Sequence, residues 1–320
     1  MKLDKYLTKL GIIDIEKIDN GTIREISKNV IELLVIQYPF LEDEYNNILA
    51  QLLTCNMYSA RMTTYISKVN YIYENQSIYI DKSIDLIKPN GLILNECIHY
   101  IQDNRTETNK LKTFGICVFD EFKISGLGLN EAMLKYIVFK VFKEENLIEE
   151  NLFASLARDI LELLGEEKII KGLLIPKNNL QDYFLNTFEN NTNKIMKNFD
   201  MMLELYNNSN NEEKIKEDLE EIYKETKKLV YTTYFDKEID KISEKYELEI
   251  YLKNMDKYEK SLEKTNDQEE INNFIKSVTY KIREAHIRIN KAEKQRSLMV
   301  ITKNKFQKIL YKLKQVFNMA

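Results

Sequence analysis

All eight glycines lie between Gly11 and Gly172, and all three prolines between Pro39 and Pro176. These are the two residue types that interrupt helices most strongly, glycine through backbone entropy and proline through its missing N–H and ring clash. From Lys177 to Ala320 there is neither, and the sequence is dense in Glu, Lys, Leu and Ile, so the second half is expected to be almost entirely helical. Its best internal break is Asn207-Asn208-Ser209-Asn210-Asn211, which reads as a linker and divides the chain into expected domains 1–207 and 208–320. Past it, Glu212 to Tyr231, Asp236 to Leu262 and Asp267 to Arg296 carry apolar residues at spacings of three and four, the pattern of a helical hairpin or bundle.

The first half changes period several times. Residues 1–60 read as helical pieces, with Ile26, Val30, Leu33 and Leu34 on one face of Ile23 to Ile36, an interruption at Pro39 and a resumption from Glu42 to Met57. Ser67 to Tyr73 and Gln76 to Asp81 are rich in β-branched and aromatic residues around Glu74-Asn75, which predicts a β-hairpin. Pro89-Asn90-Gly91 marks a loop into an apolar helix from Leu92 to Asp103. Another β-leaning run follows at Phe114 to Phe122. The turn Ser125-Gly126-Leu127-Gly128-Leu129-Asn130 then ends in a residue suited to N-cap a helix from Glu131 to Phe139. Leu147 to Leu164 and Asn179 to Tyr206 complete the helical expectation, so the fold class is α+β, mostly helical, with a small β-hairpin or sheet and an all-α extension.

Composition narrows the function classes. With 44% hydrophobic residues, 20 Tyr and 14 Phe, the 320-residue chain can bury a sizeable core. A net charge of −4 gives no general reason to expect nucleic acid as a partner. Cys55, Cys97 and Cys117 are odd in number and irregularly spaced, which predicts neither a disulfide framework nor a cysteine zinc site and fits a reducing compartment. The N-terminus has no apolar leader, and no stretch reaches transmembrane length, so the expected location is cytoplasmic.

The apolar helix carries Asn95-Glu96-Cys97-Ile98-His99. Asn95 and His99 are four apart and share one helical face, with Glu96 bordering it. Zinc hydrolases with a His-Glu-x-x-His helix use this spacing: two imidazoles hold the ion from one face and the carboxylate takes a proton from water. The ordered succession of hairpin, Asn95 to His99 helix and Gly128-Leu129-Asn130-Glu131-Ala132 helix resembles the core of zincin metallopeptidases of the gluzincin type, over roughly Val69 to Phe139, and looks most like zincin-like proteins of low-GC bacteria. The resemblance implies Glu96 as general base, with His99 and Glu131 as Zn²⁺ ligands and Asn95 at the position of the first ligand.

Asn95 departs from the family pattern. Its amide oxygen is a neutral substitute for imidazole, and the only other histidine, His286, lies in the distant helical half. The expectation is therefore a degenerate, pseudoenzyme-like metallopeptidase relative that binds a peptide or protein in the former cleft. One alternative is an active zinc hydrolase using Asn95 or a further water. Another is a helical scaffold acting through residues 212–320. Plain structural roles stand beside these: Cys97 as a small core hydrophobe, and Glu131 as a first-turn carboxylate paired with Lys135 four residues on. Finally, no acidic residue follows Glu293, while Lys294, Arg296, Lys303, Lys305, Lys308, Lys312 and Lys314 sit near an apolar face of Phe306, Ile309, Leu310, Leu313, Val316 and Phe317. Residues 298–318 thus read as a basic amphipathic helix. It either caps a bundle or contacts an anionic membrane or a partner.

Overall fold

The hydrophobic pattern of the first 60 residues conceals two strands. After α1 (Leu3–Lys9), the chain turns at Gly11 into β1 (Ile12–Lys17), passes through α2 (Asn20–Gln37), a 3-10 turn at Pro39–Glu44 and α3 (Tyr45–Leu52), and returns as β2 (Asn56–Met62). The expected helix from Glu42 to Met57 therefore ends at Leu52, and its last residues belong to the sheet. Asp19 caps α2, its carboxylate accepting from the amides of Gly21 and Thr22 at 2.9 and 3.0 Å. The computed structural model describes residues 3–63, 66–105, 111–120, 123–175, 180–207, 212–263, 273, 274, 276 and 278–295.

The expected hairpin forms as β3 (Val69–Ile72) and β4 (Ser77–Asp81), antiparallel with Val69 opposite Ile80 and Tyr71 opposite Ile78. β4 also pairs in parallel with β2, and β2 antiparallel with β1, giving a mixed four-stranded sheet of order β1-β2-β4-β3. The central position of β4 explains its unbroken Ser77 to Ile80 burial: it faces packed structure on both sides. On one face Ile12, Ala60, Ile72 and Tyr79 form a cluster with Leu7 of α1. Strand alternation puts Met57, Val69, Tyr71, Ile78 and Ile80 on the other, all of them buried. β3 is the edge strand nearest the next helix, α4 (Gly91–Gln102), which packs against β3 and β4.

Beyond α4 come two short ribbons, β5 (Asp103–Arg105) with β6 (Leu111–Phe114), and β7 (Val118–Asp120) with β8 (Lys123–Ser125). α5 (Leu127–Val141), α6 (Glu145–Glu150), α7 (Leu152–Leu164), α8 (Glu166–Leu174), α9 (Leu180–Phe188) and α10 (Thr192–Asn207) follow. The helix expected from Leu147 to Leu164 is two helices, broken where the Asn151 side chain accepts from Ala154 N at 3.1 Å and caps α7. α11 (Glu212–Lys241) runs without the break expected after Tyr231, and α12 (Lys245–Glu263) follows it.

The chain clusters into two compact units, Met1–Val230 and Tyr231–Ala320, so the division falls inside α11. In the second unit Phe235 meets Tyr251 and Phe274, and Tyr231 stacks on Tyr258 at 4.4 Å. The helical residues 278–295 bring Arg288, whose guanidinium donates to the Ile239 and Ile242 carbonyls at 2.8 and 3.0 Å and so satisfies the end of α11. The basic amphipathic segment 298–318 and most of 264–277 lie outside the described residues. Among the described residues no helix is long and apolar enough to cross a membrane.

Candidate functional site

α4 starts where Asn90 caps it, its side-chain oxygen accepting from Leu92 N and Ile93 N at 2.8 and 3.3 Å. This phase buries Leu94, Cys97, Ile98 and Ile101 and leaves Asn95 and Glu96 half-buried at the border of the core. Cys97 is a fully buried, unbonded thiol, in keeping with a core role. α5 begins four residues earlier than expected. Gly126, in the left-handed region at φ 87°, precedes it, so Asn130 lies inside the helix, fully buried, donating to Gln102 Oε1 at 2.9 Å instead of capping. Glu131 consequently sits beyond the first turn, and the dipole explanation for its presence does not hold.

His99 and Glu131 meet across the two helices. His99 Nε2 lies 3.1 Å from Glu131 Oε1, with the imidazole 6% and the carboxylate 25% exposed. The imidazole stacks on Phe114, ring centroids 5.5 Å apart and planes 7° from parallel, and Tyr73 stands edge-on to Phe114 at 4.9 Å. Burial works to lower the His99 pKa, but the field and hydrogen bond of Glu131 override it and raise it. On Glu131 burial pushes upward and His99 overrides it downward, so both partners favour the charged pair. His99 Nδ1 has no hydrogen-bond partner among the described residues, leaving the ring held through one nitrogen and its stacking.

Glu96 is engaged elsewhere. Its Oε2 accepts from the backbone N–H of Tyr71 at 2.7 Å, and its Oε1 from Asn95 Nδ2 at 3.2 Å. Asp81 N donates to Lys68 O, so Lys68, Asn70 and Ile72 turn their backbone groups towards β4 and Tyr71 turns its own outward. β3 is thus a buried edge whose Tyr71 amide is satisfied by a carboxylate from α4. Burial raises the Glu96 pKa, opposed by the His99 field and the Tyr71 N–H. At the other end of α4, Asp103 accepts from the Tyr71 hydroxyl at 2.5 Å and from Arg105 through Nε and Nη2 at 2.8 and 2.7 Å, while Arg105 also donates to Tyr73 O. Tyr71 is therefore clamped by two carboxylates of one helix region.

The start of α5 is fixed from α10. Asp200 accepts from Gly126 N and Gly128 N at 2.9 and 2.8 Å, and a Cβ on Gly128 would stand 2.0 Å from the Phe199 carbonyl oxygen. Nothing in the sequence pointed to Asp200, since it lies more than 70 residues from the amides it caps.

Two ligands at about 2.0–2.1 Å on a tetrahedral zinc stand about 3.3 Å apart, close to the His99–Glu131 separation. A catalytic zinc takes three protein ligands, however, and among the described residues no three His, Cys, Asp or Glu side chains are grouped to hold a metal. Asn95, at the position of the first ligand, directs its amide nitrogen to Glu96. Among the described residues, two strong donors meet and a third does not join them.

No family model, curated protein or solved structure matches the chain. The site must therefore be read from its own chemistry.

One further charged side chain lies near it on α5. Lys135, a turn beyond Glu131, does not make the expected ion pair: its Nζ lies over the Tyr206 ring at 4.0 Å from the centroid and 5.2 Å from that of Phe153. Burial lowers its pKa, opposed by the field of Glu131.

Proposed function

We propose that this chain is a degenerate metallopeptidase-like protein with a zincin-like core, which binds a peptide or protein at the former cleft and does not hydrolyse it. The observation that carries the reading is the meeting of His99 and Glu131 across α4 and α5 at 3.1 Å, with Glu96 of the same helix committed to the Tyr71 amide. The residues that a metallopeptidase uses as ligands and base are close together, yet each has an internal partner. An ion pair joins the helices where a metal would, and the carboxylate that would serve as base is spent on the sheet edge. Around the pair the Glu131 carboxylate is partly exposed, Asn95 and Tyr73 are half-buried, and half-buried Lys135 follows Glu131 by one turn of α5.

The separation of His99 Nε2 and Glu131 Oε1 also favours a second reading, an active zinc hydrolase in which these two hold the ion, the Asn95 oxygen or a water completes its shell, and Glu96 leaves Tyr71 to act as base. Metal analysis and titration of purified protein separate the two. The degenerate reading expects less than stoichiometric zinc, no peptidase activity, and a gain of tight zinc binding in Asn95→His, which restores the third strong ligand. One zinc per chain, lost in Glu131→Ala and accompanied by peptide cleavage, establishes the hydrolase instead. No gain in Asn95→His counts against the zincin-like ancestry itself.

A further inference from the structure

We infer that Lys135, one turn after Glu131 on α5, is a carboxylate-binding subsite, so that the bound peptide presents a carboxylate to its ammonium. This rests on the peptide-binding reading above and names the chemistry of the ligand.

The position of Lys135 is unusual for what surrounds it. It lies four residues after Glu131 on α5, the spacing at which a lysine and a glutamate ordinarily pair. Glu131 is turned instead to His99, at 3.1 Å, and no ion pair or hydrogen bond to Lys135 is made among the described residues. The ammonium is half-buried and rests on two aromatic faces, Tyr206 from α10 and Phe153 from α7, which stand edge to face with centroids 5.9 Å apart. A ring face attracts the cation from one side but accepts none of its N–H donors in a strong hydrogen bond, so an ammonium seated this way keeps donors for an anion. Phe153 is buried, which fixes one wall, while Tyr206 is 49% exposed and leaves the other side open to solvent.

Charge selects the ligand further. Glu131 exerts its field on Lys135, so a free polyanion is repelled there, whereas a single carboxylate on an otherwise neutral chain can reach the ammonium. Desolvation already disfavours the bare ammonium, and an arriving carboxylate relieves that cost. The rings are also suited to the apolar part of a terminal residue, which makes a peptide carboxylate a better match than an inorganic anion.

The test uses the full chain with isotopically labelled lysine, read by NMR at the Lys135 side chain, and three acetylated hexapeptide libraries. One ends in a free carboxylate and contains no Asp or Glu, the second is the same library amidated, and the third is amidated with one internal Glu. The free-acid library is expected to bind at least tenfold more tightly than the plain amide and to raise the Lys135 pKa. Lys135→Met should reduce it to the level of the amide, while Lys135→Arg should keep most of the preference. A preference shared by the third library assigns the subsite to side-chain carboxylates, and its absence assigns it to the chain terminus. Equal binding of acid and amide, or a preference untouched by Lys135→Met, overturns the subsite while leaving the peptide-binding cleft standing. Binding of none of the libraries removes both.

Discussion

Glu131 and His99 contribute to stability only while both are charged, and this sets a pH window. The folded-state pKa of His99 is raised, so its contribution is fully present below its unfolded value of about 6.5 and is lost as the pH rises through the folded value. That of Glu131 is lowered, so its contribution is present above its unfolded value of about 4.3 and is lost as the pH falls through the folded value. The stability difference between wild type and Glu131→Gln, measured by urea unfolding, should therefore be largest between about pH 4.3 and 6.5 and shrink on both sides. A difference independent of pH would mean that the contact is not an ion pair. Glu96 makes the complementary case. If its carboxylate serves the sheet edge, Glu96→Gln keeps an acceptor for Tyr71 N–H and should cost little. Glu96→Ala, which orphans a buried amide, should cost about 1–3 kcal/mol in the same assay. At this scale the sequence named residues more readily than their partners. Of the residues singled out, His99 and Glu131 meet and Asn95 does not join them, and nothing local showed that Glu96 would turn to a strand or that Lys135 would rest on aromatic rings.

Among the elements, the hairpin and α4 were legible because both have short, clear signals: β-branched and aromatic residues in one, an apolar run after a Pro-Asn-Gly loop in the other. β1 and β2 were not. Asn56 to Met62 has the composition of a helix continuation, and it becomes a strand only because β1 and β4 flank it, a tertiary requirement that overrides local propensity. The start of α5 was misplaced for a related reason. Asn130 is a good N-cap by type, but the amides that need an acceptor there, Gly126 and Gly128, find Asp200 on α10. Asp200→Ala should therefore destabilise the fold by about 0.5–2 kcal/mol, as the loss of a helix cap does. Gly128→Ala should cost more, because its Cβ would be 2.0 Å from the Phe199 carbonyl oxygen and the two helices would have to separate. Thermal melts of the two variants check the order, and a Gly128→Ala protein as stable as wild type would place α10 differently against α5.

For the whole molecule, the cysteines offer a probe confined to one of the two compact units. Cys55, Cys97 and Cys117 are all buried, all unbonded and all within Met1–Val230, whereas Tyr231–Ala320 contains no cysteine. Burial pushes the Cys55 thiol up to about 12 and raises the other two as well, so the native thiols are protonated at neutral pH and shielded from solvent. Reaction with a disulfide reagent then requires the first unit to open. In a urea series, thiol reactivity should rise from none in native protein to three per chain across a single transition, with the same midpoint whichever cysteine is followed, because all three report one core. A reducing agent should leave that midpoint unchanged, since there is no disulfide to reduce among them. If Cys97, on the helix that carries His99, reacts well before Cys55, then α4 opens on its own. The Tyr71 clamp at both ends of that helix region argues against this, because moving α4 away from β3 would orphan the Tyr71 amide and strain the Tyr71 hydroxyl bond to Asp103 in the same step.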